Sequence, residues 1–65
     1  MNETVKNWLK GLYLREIGET KETIKNEHLW ELGYDGDELN PHTENIEMMS
    51  EYIDVLKEKL EELND

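Results

Sequence analysis

Sixty-five residues with no cysteine, 17 acidic and 7 basic side chains, and a net charge of −10 describe a single small acidic domain that no disulfide can staple. A chain this short buries only about 60% of the surface its unfolded form exposes, so outside support is expected from a second copy or from another protein. The acidic balance disfavours direct binding to nucleic acid or an anionic membrane, and no run approaches the roughly 18 apolar residues of a membrane span.

Residues 1–6 show no basic stretch leading into an apolar run, and the absence of cysteine suits a reducing compartment, so the expectation is a cytoplasmic chain. The charge is unevenly spread. Residues 1–30 carry five bases and five acids, whereas residues 31–65 carry twelve acids against Lys57 and Lys59 alone. A basic protein surface is the natural electrostatic partner of the second half.

In chain order, the first predicted element is a helix over about 3–17. Asn2 can cap it, and Val5, Trp8, Leu9, Leu12 and Tyr13 fall on one side at helical spacing. Gly11 lies inside it, Leu14 lies off its apolar face, and a short extended piece at residues 12–17 is the alternative. Gly18 suits a left-handed cap. A second helix is predicted over about 20–33, with Thr20 or Thr23 as cap, a narrow face of Ile24, His28, Leu29 and Leu32, and Gly33 as terminator. Tyr34 to Glu38 then reads as a turn.

The third element carries the clearest signal. Proline at 41 holds Asn40 in the extended conformation a cap needs and itself suits the first helical position. From there Ile46, Met49, Ile53, Leu56, Leu60 and Leu63 recur at alternating spacings of 3 and 4, a heptad seam, with Leu39 and His42 one heptad earlier. A helix over 41–64 spans about 36 Å, more than either short helix covers. A second stripe, Met48, Tyr52 and Val55, flanks the seam in the first half only. The expected fold is therefore all-α: three helices in one domain, 1–65, the last over-long and amphipathic. Its first half is expected to pack on both short helices, and its tail to offer Ile53, Leu56, Leu60 and Leu63 to a second copy as a dimer seam.

Opposite that seam Glu44, Glu47, Glu51, Asp54, Glu58, Glu61 and Asp65 form an acidic row at spacings of 3 and 4, with no lysine interleaved. Carboxylates about 5 Å apart along a helix can meet a basic groove, or can serve only as a solvated face. Trp30 and Tyr34, one turn apart, are candidate aromatic anchors for a partner.

Other chemistry is sparse. Asp35-Gly36-Asp37-Glu38 resembles the start of a calcium loop, but Asn40 stands where that loop needs glycine and Ile46 where it needs a bidentate glutamate. His28, expected as a partly buried face residue, and His42, expected on the surface, lie far apart without cysteine, a poor metal set. Ser50 has no histidine at helical spacing. No cofactor or catalytic residue is expected. In composition (small, helical, acidic, rich in Lys, Glu and Asn, free of cysteine) the chain is similar to small proteins of bacteriophages and mobile elements of Gram-positive bacteria. That resemblance implies stoichiometric binding and inhibition of a host enzyme or complex. The functions expected are thus a non-enzymatic inhibitor or adaptor for a basic protein surface, or a homodimeric assembly module whose acids serve solubility.

Overall fold

The computed structural model describes residues 2–36 and 38–64, and these form two α-helices joined by an eight-residue connection. Helix α1 runs Glu3–Leu32 and helix α2 runs Pro41–Asn64. The chain is all-helical, as expected, but it is a hairpin of two helices rather than three. The two short helices expected over 3–17 and 20–33 are one continuous helix of 30 residues.

Local chemistry explains both ends of α1. The Asn2 side-chain oxygen accepts from Thr4 N–H at 2.8 Å and Val5 N–H at 3.4 Å, satisfying amides that have no partner within the helix. At the other end Gly33 N–H donates to the carbonyls of Leu29 and Trp30 at 3.3 and 3.2 Å. Gly33 does this at φ −89°, so it terminates the helix without a left-handed cap.

Gly18, expected to break the chain, is an interior helical residue that faces solvent, and a Cβ built there would meet nothing within 4 Å. A glycine inside a helix costs up to about 1 kcal/mol, which packing along a partner helix can offset. Residues 12–17 are likewise helical, and the hydroxyl of Thr23 donates to the Glu19 carbonyl at 3.0 Å within the helix instead of capping a new one. Thr20, the other cap candidate, is buried.

The face of α1 that meets α2 is Lys6, Lys10, Tyr13, Ile17, Thr20, Ile24, Glu27 and Glu31, at alternating spacings of 4 and 3, each buried or half-buried. The α2 face is the expected one, from His42 through Ile46 and Met49 to Leu63. Cross-contacts ascend on α2 as they descend on α1: Glu31 with Asn40 and Thr43, Glu27 with His42 and Asn45, Glu16 with Tyr52. The helices are therefore antiparallel, the ordinary result of a short connection. Asn40 ties the corner. Its Oδ1 accepts from His42 N–H at 2.9 Å while its Nδ2 donates to the Glu31 carbonyl at 3.1 Å.

The core is thin. Ile17, Ile53 and Leu56 are its buried apolar residues, with Tyr13, Ile24 and Leu60 packed against them. No described side chain is fully sealed from solvent. The molecule measures 52 × 15 × 10 Å, with a radius of gyration of 15.5 Å, against about 11 Å for a compact chain of this length. Its accessible surface is 5270 Å², where a globular monomer of 7.8 kDa would show about 4,400 Å².

Candidate functional site: the acidic row and the turn end

The acidic row lies along α2, Pro41–Asn64. Glu44, Glu47, Glu51, Asp54, Glu58 and Glu61 are all exposed. Among the described residues none of the six lies within 4.0 Å of a basic group; the ion pairs found are Arg15–Glu19, Lys25–Glu22, His28–Glu31 and His42–Glu27. Asp65, the last of the row, lies outside the described residues. The six carboxylates thus face water without internal neutralisation, a surface whose field a basic partner would complement.

The turn end adds a second layer. From residue 26 through residue 51 the chain holds eight acidic side chains and no lysine or arginine. Two of these acids, Glu27 and Glu31, are drawn into the helix–helix seam. The Glu27 carboxylate accepts from Asn45 Nδ2 at 2.9 Å and from His42 Nδ1 at 2.5 Å. Glu31 accepts from the Thr43 hydroxyl at 2.5 Å and from His28 Nδ1 at 2.9 Å.

These bonds hold both carboxyls below the usual carboxylate range: for Glu27 chiefly the Asn45 amide and then His42, for Glu31 chiefly the Thr43 hydroxyl and then His28. Further along, partial burial and then the hydrogen bond to Glu16, at 3.1 Å, push the Tyr52 hydroxyl up from its ordinary value.

The histidines exchange the surroundings expected of them. His28 is exposed and serves Glu31 from the rim. His42 is half-buried in the seam, with Trp30 stacked on one side at 6.4 Å between ring centres and Tyr34 edge-on at 6.3 Å. Tyr34 also lies over Gly36, where an added Cβ would clash with its hydroxyl. The aromatic pair singled out from the sequence is thus assembled around His42. Trp30 nevertheless remains 68% exposed, and Leu29, Leu32 and Leu39 stand out from the same end. Among the described residues no cluster of three or more His, Asp or Glu side chains is arranged to hold a metal.

The four residues expected to form a dimer seam lie in the chain's own hairpin. Ile53 and Leu56 are in the core, Leu60 packs against it and Leu63 is half-buried. With α1 long enough to run beside all of α2, that face is already covered, and a second copy could use it only by displacing α1. Leu39, one heptad before the seam, precedes the helix and is 97% exposed.

Among the described residues no helix is long and apolar enough to cross a membrane. No family model, no curated protein and no solved structure matches the chain.

Proposed function

We propose that this hairpin is a non-enzymatic protein-binding module, an inhibitor or adaptor, whose acidic α2 face docks on a basic surface of a larger protein. The observation that supports it best is the row itself: six exposed carboxylates along one helix, none paired with a base among the described residues. Like charges so placed destabilise an isolated helix by a few tenths of a kcal/mol per pair, a cost that a basic partner removes. Trp30 supplies an apolar anchor at the turn end, since buried aromatics carry much of the energy of interfaces whose charges mainly steer encounter.

The test is capture of partners from a lysate of the source organism, with wild type compared against the triple variant Glu47→Lys, Asp54→Lys, Glu61→Lys. All three positions are exposed, so helix content by circular dichroism should be unchanged. The expected result is one or more basic proteins retained by wild type and lost by the variant. Equal retention by both would contradict an electrostatic docking face.

A further inference from the structure

The two ends of the hairpin both expose apolar side chains, but in different electrical surroundings. Trp8 and Trp30 stand open to water to the same extent, 66% and 68%. Around Trp8 the bases Lys6, Lys10 and Arg15 interleave with the apolar residues. Residues 26–51, which hold Trp30, carry eight acids and no lysine or arginine, a net of −8 with the histidines neutral. The rest of the chain carries nine acids against seven bases, a net of −2. Lys25, the base nearest to Trp30 in sequence, is paired with Glu22 at 3.8 Å.

Around Trp30 the exposed apolar residues form one patch on the last turns of α1. Leu29 points away from the seam that Glu27 and Glu31 occupy, and it lines one shallow groove with Asn26 and Trp30. Leu32 follows Leu29 one turn on, and both leucines are exposed. Trp30 stacks on His42, and Tyr34 packs edge-on against the same ring. The aromatic part of the patch is thus fixed before any partner arrives, which lowers the ordering cost of binding.

We infer that this patch receives a basic amphipathic helix of the partner protein. The inference rests on the proposed docking to a basic protein, and adds which end of the hairpin leads and what it meets. Leu29 and Leu32, three residues apart, make a ridge of the kind that seats between the side chains of a facing helix. Lysines or arginines flanking that helix's apolar face would enter the field of the turn-end acids, of which Asp35, Glu38, Glu44 and Glu47 are exposed. A neutral apolar face gains no such attraction, and a second copy of this chain would set one acidic turn end against another.

The probe is a synthetic peptide of about 14 residues, built of lysine and leucine with the leucines at helical spacing, and an oligolysine of equal charge is its control. In NMR titrations of the intact protein, the lysine–leucine peptide should move the Trp30 indole N–H and the amides of residues 26–34 and leave the Trp8 indole in place. It should bind at least about tenfold more tightly than oligolysine. The double variant Leu29→Gln, Leu32→Gln, at two exposed positions, should remain helical by circular dichroism and lower the peptide's affinity at least about tenfold. Equal shifts at Trp8 and Trp30, or an affinity unchanged in the double variant, would overturn the inference. Trp30 shifts that appear on concentrating the protein alone, or on adding phosphatidylcholine vesicles, would assign the patch to a second copy or a lipid surface and overturn it as well. Failure of the acidic-row reading shows separately, as oligolysine binding that the triple variant Glu47→Lys, Asp54→Lys, Glu61→Lys leaves unchanged.

Discussion

In the middle of the hairpin Ile17, Ile53 and Leu56 meet through apolar surface alone, whereas about three turns nearer the connection the same seam sets Glu27 and Glu31 against His42, Thr43 and Asn45. The two regions do different work. Apolar contact is non-directional and supplies most of the stabilisation, but it tolerates a helix that slides by a heptad. Hydrogen bonds to two part-buried carboxylates are directional, and sliding would leave those carboxylates without donors. The middle therefore holds the helices together, and the turn end fixes where they stop.

The largest effect expected of this division is in the middle. Leu56→Ala removes one of three buried apolar side chains from a chain with little reserve, and should cost about 2–4 kcal/mol, enough to abolish cooperative unfolding in a urea titration followed by circular dichroism. Asn40→Ala comes next. It deletes both the bond to His42 N–H and the tie to the Glu31 carbonyl, and should lower stability by about 1 kcal/mol while leaving the centre of each helix protected from hydrogen exchange.

Acid should act on the turn end selectively. Glu27 and Glu31 titrate below the ordinary value of 4.5 when folded, so the stability they lend is complete above that value and is lost as pH falls through their folded values. Glu27→Gln with Glu31→Gln should flatten the acid side of a stability–pH curve, and an unchanged slope would show that these bonds do not set the register. The smallest change expected is a gain. Thr20 is the polar residue buried beside the apolar core, and Thr20→Val should raise the thermal midpoint by a few degrees, from about 0.5–1 kcal/mol.

The two helices were not equally legible in the sequence. Helix α2 announces itself because its start, Asn40-Pro41, its seam and its acidic row are all carried within one segment. Helix α1 hides its seam. Lys6, Lys10, Thr20, Glu27 and Glu31 occupy five of its eight contact positions, so the more apolar set of Val5, Trp8, Leu9 and Leu12 draws the eye to a side that borders the seam or faces water. Gly18 followed by Thr20 then looks like a stop and a restart, although one faces solvent and the other is buried in mid-helix.

The candidate site divides the same way. The acidic row needed only helical spacing, and exposure of its six described members follows from that. The pairing of Glu27 and Glu31 with His42, Thr43 and Asn45 depends on which residues the partner helix presents across the seam, and no local pattern contains that.

The continuity of α1 underlies all of this, since two short helices would leave the tail of α2 uncovered and the dimer seam free. Amide hydrogen exchange by NMR reads it directly. A single helix predicts slow exchange continuing through Gly18, Glu19 and Thr20 and rising to its maximum beside Ile17, Ile53 and Leu56. Exchange at loop rates over residues 18–20, with protection resuming after them, would contradict the hairpin.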